Sequence, residues 1–314
     1  QLFGKLSYRT DDLRIDLSHT HADNDLTGNG LLPGTMQRAD YASIFTRPDN
    51  TRNRLDLLNL NVDYWLNDAS RLTTLLYYRE NLTRTLNGDV NDEFEEDPLL
   101  DGAAGANGGL GFNLQTGANN RTNSDQRGWG GALQWSWRSE RHQLALGTTV
   151  DQSRTTFQQT TELGVFDSTR GVIADFSGQQ IDNRLLGRTR QWSLFVQDVY
   201  QPISPLSIST ALRYNRVRVI AVDQLNPGMP NNLDGDFIYT KLNPSLGATW
   251  HLTPGVAAYA TLAQGNRAPS PIELGCADPV HPCSLPNAMQ ADPYLKQVVT
   301  HSIEAGLRGG EQIK

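Results

Sequence analysis

The sequence has few of the features that define the commoner protein classes. It has no long hydrophobic run; the longest apolar pieces are as short as Gly255–Ala260. A membrane helix needs about 20 consecutive apolar residues, so helical spans are excluded. Hydrophobic residues make up 38% of the 314 residues, and mean hydropathy is −0.49. The chain has no basic cluster, and its net charge is −7, which argues against a nucleic-acid partner. Cysteine is nearly absent: Cys276 and Cys283 stand alone in a proline-rich stretch. They lack the CxxC pairs and histidine partners of a zinc site. A short Cys276–Cys283 disulfide suits an oxidising compartment, while two free loop thiols are the bland reading. No nucleophile elbow or Ser/His/Asp arrangement stands out, so the sequence does not read as an enzyme. It also has no signal peptide at Gln1, begins inside a strand-like pattern and stops at Lys314. The expectation is that residues 1–314 are a fragment of a longer polypeptide.

What the sequence does have is alternation. Leu206, Ile208, Leu212 and Tyr214 interleave with Ser207, Ser209, Ala211 and Arg213. Leu242, Leu246, Ala248 and Trp250 interleave with Asn243, Ser245, Gly247 and Thr249. The same period of two runs through Leu13–Leu17, Leu58–Tyr64, Trp129–Trp137 and Leu144–Val150. One phase is apolar and the other small or polar. Trp192–Tyr200 is ambiguous, because it sets Asp198 on the apolar phase.

Connections alternate in length. Short turns sit at residues 10–12, 67–69, 139–141, 201–205 and 253–255. Long polar stretches cover residues 22–53, 85–126, 157–189, 220–237 and 266–297. Structureless loops of that length are uncommon in compact soluble domains. Short turns at one end and long loops at the other fit an outer-membrane barrel, with turns facing the periplasm and loops facing outside. Tyr and Trp gather near the strand ends, as at a membrane interface. A soluble β-sandwich also alternates, but no second set of apolar faces remains to form its core. The fold expected is all-β: an antiparallel transmembrane β-barrel of roughly eleven strands, each about ten residues long. An open sheet edge cannot sit in lipid, so the chain is expected to be partial, roughly half of a 22-stranded barrel. Ile208, Leu212, Leu246 and Trp250 should face lipid.

The stretch Tyr259–Leu274, YATLAQGNRAPSPIEL, is followed by Leu285–Gly310, LPNAMQADPYLKQVVTHSIEAGLRGG. Together they resemble the strand–loop–strand signature of TonB-dependent receptors. Gly265, Arg267, Ala268, Pro269, Asp292, Pro293, Leu295, Glu304 and Gly306 match that pattern. Asn266 replaces the usual aromatic, and Gln297-Val298 replaces a common Pro-Glu. The resemblance implies a receptor barrel whose plug and TonB box lie outside this chain. It further implies TonB, outer-membrane lipid and lipopolysaccharide as partners. The cargo would be an iron chelate, a ferric siderophore first, and no cofactor would be covalently bound. A haem or cobalamin receptor and a passive porin are the alternatives. Haem receptors of the family carry an axial histidine in the loop that here holds His281, although a lone loop histidine is usually just solvated. Glu304 should face the lumen and pair with Arg267 or a plug arginine. The stretch 85–126 offers Phe112, Arg121 and, just beyond it, Arg127, and the stretch 266–297 offers Arg267, His281 and Tyr294; their rings and cations suit an anionic, aryl-bearing chelate. The acidic run Asp89–Asp97 has the oxygen donors for Ca²⁺ or Mg²⁺ but not the EF-hand spacing, and it reads as a solvated loop. Gly102–Gly111 reads as a mobile loop rather than a phosphate cradle.

Overall fold

The computed structural model describes residues 1–28, 32–91, 115–174, 178–229, 232–275 and 295–310. The strands are β1 Leu2–Arg9, β2 Leu13–Thr27, β3 Asp49–Asn67, β4 Ser70–Val90, β5 Gly117–Arg138 and β6 His142–Phe166. They continue with β7 Val172–Ala174, β8 Gln180–Ile203, β9 Leu206–Asp223, β10 Gly235–Thr253, β11 Val256–Arg267 and β12 Val298–Gly309. Two short helices, α1 Gly34–Ala39 and α2 Pro271–Gly275, lie in long connections. Every strand of the main path pairs antiparallel with its neighbours in chain order, and the three-residue β7 attaches to β6 off that path. The sheet is open: β1 and β12 each pair on one side only among the described residues. It is a partial barrel wall.

Register shows why alternation folds this way. Cross-strand partners share a face. One row runs Leu246, Thr210, Asp198, Leu144, Trp137. The next runs Ser245, Ala211, Gln197, Ala145, Ser136. The first face carries the exposed large apolar side chains, including Leu212, Leu246 at 52% and Trp250 at 48% exposure, with Ile208 half-buried on the same face. Its exposed Leu, Val and Trp side chains mark it, by chemistry, as the face expected to meet lipid. Asp198 does lie there, at the end of the short turns. His142 Nδ1 lies 2.8 Å from its Oδ2, and the His142 ring stacks on Tyr200 at 4.7 Å.

The strands outgrow the expected ten residues. β6 has 25 and β8 has 24. Only about nine residues per strand, such as Trp192–Tyr200, carry the apolar phase, enough to cross a tilted bilayer path. The remainder continues into water with Thr, Gln, Asn and Arg on both faces. Two clusters of buried apolar residues lie in this outer half on the lumen face, Phe157 with Leu185 and Ala221, and Val217 with Val219 and Leu274.

Candidate functional site

The lumen wall is a continuous polar surface at membrane depth. Tyr77, Gly130 and Asp151 share one row. The glycine leaves the path open, so the Tyr77 ring crosses β5 and its hydroxyl donates to the Asp151 carboxylate. A Cβ on Gly130 would stand 2.6 Å from that hydroxyl. Phe195 lies across Gly147 in the same manner, with the Arg213 guanidinium 5.6 Å from its ring. Arg213 donates to Asn215 Oδ1 at 2.8 Å and to Thr149 Oγ1 at 3.2 Å. Asn215 in turn donates to Asn266 Oδ1 at 2.8 Å, which also accepts from Asn243 at 2.7 Å.

At the mouth, Arg-Ala-Pro-Ser-Pro-Ile-Glu builds a fixed cap. Ser270 and Glu273 form a capping box around α2. The Glu273 N–H donates to Ser270 Oγ at 3.1 Å, and the Ser270 N–H donates to Glu273 Oε2 at 2.7 Å. Pro271 stands at the first helical position, where no amide hydrogen is needed. Arg267 then grips Glu273 through both terminal nitrogens, at 2.7 and 2.8 Å. This fork, ahead of the Ser270 bonds, holds the Glu273 carboxyl down at about 2. The turn folds onto the lumen face: Leu274 packs with Val217 and Val219, Ile272 with Leu185, and Pro271 over Gly187.

The seam between β10 and β11 stops pairing above Ser245–Ala263. Pro244, next along β10, has no amide hydrogen to offer. Side-chain amides carry the seam upward instead. Gln264 donates to the Leu242 carbonyl at 2.8 Å and Gln297 to the Thr240 carbonyl at 2.9 Å. Asn266 donates to Gln297 Oε1 at 3.0 Å. Among the described residues no group of three or more His, Cys, Asp or Glu side chains is placed to hold a metal ion.

The sequence matches the family model described as TonB dependent receptor-like, beta-barrel, over residues 3–313. The chain belongs to the TonB-dependent receptor family. Solved structures similar to this receptor barrel include the ferric citrate transporter FecA, with TM-score 0.68 and 12% identity over 98% of this chain and 40% of that one. The copper transporter OprC gives TM-score 0.62 and 16% identity, over 99% and 42%. The ferric-catecholate import receptor Fiu from E. coli K12 gives 0.60 and 12%, over 96% and 47%. The chain thus spans under half the length of these structures. At these identities the likeness is one of fold. No curated protein matches the sequence.

Most of the family-signature positions can be placed in this receptor barrel. Tyr259 pairs with Gly306, and its ring lies across that glycine so that its hydroxyl donates to Glu304 at 3.0 Å. A Cβ on Gly306 would meet the Tyr259 hydroxyl at 2.7 Å. The spacing Glu-x-Gly therefore reflects one crossing tyrosine. Glu304 lies in the lumen phase as expected, but its partner is Tyr259; Arg267 is committed to Glu273, whose role is not evident from the sequence signature alone. The Ser-x-x-Glu spacing is the signal that marks it. Ala268 and Leu295 pack on the Val217 cluster, and the Leu295 carbonyl accepts from Tyr239 at 2.9 Å. A Cβ on Gly265 would meet nothing within 4 Å, and its φ is not left-handed, so neither space nor backbone conformation demands glycine there. Asp292 and Pro293 lie outside the described residues.

The proposed cargo contacts divide. Arg121, expected in a loop, and Arg127, expected just beyond it, are both strand residues of β5. Both sit on the phase of Trp129 and Trp137, facing away from the lumen. Arg121 pairs there with Glu162 at 2.7 Å, and Arg127 with Glu80 at 3.5 Å. Strand β5 simply continues past the bilayer with its parity unbroken. Arg267 is at the mouth, tied to Glu273. Phe112, His281 and Tyr294 lie outside the described residues, as do Cys276, Cys283, Gly102–Gly111 and residues 92–97 of the acidic run. Two lumen-phase cations carry no sequence signal of their own. Arg79 and Lys241 make no ion pair among the described residues, and Arg79 Nε lacks a hydrogen-bond acceptor.

Proposed function

We propose that this chain is the barrel portion of an outer-membrane receptor that imports a scarce, iron-bearing nutrient at the expense of TonB. The family match along nearly the whole chain carries the reading. The polar wall supports it: Arg213, Asn215 and Asn243 offer hydrogen bonds to a hydrated path, and Arg79 and Lys241 offer charge to an anionic chelate. A ferric siderophore is the favoured cargo, since solved structures of this fold include a ferric citrate transporter and a ferric-catecholate import receptor. His281 keeps a haem receptor as the second cargo. The external loop is proposed to carry the Cys276–Cys283 disulfide, and Phe112, Arg267, His281 and Tyr294 remain proposed loop contacts. A passive porin needs neither TonB nor a capped mouth.

The test is growth of a deletion strain on single iron sources, restored by the full-length gene. Growth on one ferric siderophore that requires both the gene and TonB supports the reading. Uptake that persists without TonB replaces it with a passive channel, and rescue by haem alone moves the cargo to haem.

A further inference from the structure

The lipid-facing band ends along a sharp line, and one sector above that line is strongly basic. Trp129, Val150, Trp192 and Tyr214 mark the top of the band on β5, β6, β8 and β9. Immediately above, on the same outward phase, stand Arg154, Arg184, Arg188, Arg190, Arg216 and Arg218, all exposed. Arg154 lies directly opposite Arg188, and Arg190 directly opposite Arg218. Arg216 faces Trp192. Directly opposed residues have Cβ atoms about 5 Å apart, and same-face neighbours along a strand are about 7 Å apart. Like charges at that spacing repel and destabilise the pairing.

Only Arg218 has an acidic partner among the described residues, donating to Asp236 Oδ1 at 2.8 Å. The chain as a whole is acidic, so this clustering does not follow from composition. The neighbouring sector at the same level provides an internal contrast. There Asp56 meets His21 at 2.8 Å and Arg54 at 3.5 Å, and Asp23 meets Arg52 at 3.3 Å; Arg127, opposite Arg154 at the border between the sectors, meets Glu80 at 3.5 Å. One sector of the outward face is neutralised from within, and the other is not.

We infer that the Arg154–Arg188–Arg190–Arg216 surface binds the phosphate groups of a phosphorylated lipid of the outer leaflet, with the lipid's acyl chains lying on the apolar band below. Guanidinium forks match phosphate oxygens in pairs. The patch is continuous with the membrane-facing band through Leu194, Val196 and Leu212, which a soluble anion would not use. The tilted Trp192–Tyr214 ring pair, 5.4 Å apart, sits at the boundary where a headgroup joins its chains. Arg184 and Arg218 flank the site. The inference rests on the outer-membrane reading.

The experiment uses the full-length receptor in lipid bilayers, with insertion checked by heat-modifiable mobility. Binding of bis-phosphorylated lipid A is measured by native mass spectrometry for the wild type, for R188Q/R190Q/R216Q and for the neutralised-sector control R52Q/R54Q. The control spares Arg127, which lies directly opposite Arg154, and removes two arginines paired within the neutralised sector. The expected result is retention by wild type and this control, and about a hundredfold weaker retention by the triple variant. Dephosphorylated lipid A should be retained no better by wild type than by the triple variant, and millimolar inorganic phosphate should not displace the lipid. Equal retention by the triple variant, or of the dephosphorylated lipid, overturns the inference while leaving the receptor reading intact. Displacement by free phosphate overturns the lipid assignment. A wild-type protein that fails to insert refutes the outer-membrane reading, and the inference with it.

Discussion

Asn266 and Gln297 each depart from the family signature, and in the structure they meet. Asn266 gathers donors from Asn215 and Asn243 and passes one hydrogen to Gln297, which caps the Thr240 carbonyl. The aromatic and the Pro-Glu that usually fill these places would make different contacts, so the two changes are understood as one. Asn266→Ala and Gln297→Ala should therefore be non-additive, with a coupling of about 1 kcal/mol. A double-mutant cycle on denaturant unfolding of the full-length receptor in a bilayer measures this, and strict additivity counts against it. Glu273 gives a pH signature. Its carboxyl lies near 2 when folded against 4.5 ordinarily, so its contribution is fully present above about 4.5 and lost as pH falls through 2. Hydrogen exchange of residues 267–275, corrected for intrinsic rate, should show constant protection from pH 7 to 5 and a decline below 4.5. Glu273→Gln should lower protection at pH 7 by about 1 kcal/mol, roughly fivefold, and flatten that decline. Unchanged protection in the variant rejects the cap.

At the scale of elements, lipid-crossing segments were legible because lipid enforces a strict apolar phase. Leu144–Val150 and Leu206–Tyr214 declared themselves in this way. The watery continuations were not: in Thr155–Phe166 and Gly117–Arg127 polar residues fill most of both phases, with Phe157 buried on the lumen face, so little hydropathy contrast marks them as strand. That blindness put Arg121 in a loop and Arg127 at its edge. The short turns were legible from Asp, Gly and Pro, whereas α2 was hidden by its size, although its Ser-Pro-Ile-Glu cap was present in the sequence. Glycines in the wall follow a further rule, since several lie beneath a crossing ring. Gly130→Ala should cost about 1–3 kcal/mol by driving a Cβ into Tyr77. Gly265→Ala, at an open position, should cost less than about 0.5 kcal/mol. Unfolding midpoints of the two variants decide the matter, and equal losses would remove the special role of the crossed glycine.

For the molecule as a whole, what matters is that one sheet separates two solvents. The outward row Leu246–Thr210–Asp198–Leu144–Trp137 and the inward row Ser245–Ala211–Gln197–Ala145–Ser136 are adjacent in sequence at every strand. A shift of one residue in any pairing would exchange them. Burial alone does not distinguish the faces, because the open wall exposes both; chemistry does. The outward face holds Leu, Val and Trp that water would penalise by about 25 cal/mol per Å². The inward face holds groups that lipid would leave without hydrogen bonds. Single spin labels at 209, 212, 245 and 246 of the full-length receptor, in a background lacking Cys276 and Cys283, should therefore report alternating surroundings. Positions 212 and 246 should be relaxed by dissolved oxygen, which partitions into lipid. Positions 209 and 245 should respond to a water-soluble nickel complex or be shielded from both reagents by whatever fills the lumen. Oxygen-dominated relaxation at 209 and 245 would invert the sheet, and the receptor geometry could not survive it, because Arg213, Asn215 and Tyr77 would then point into hydrocarbon.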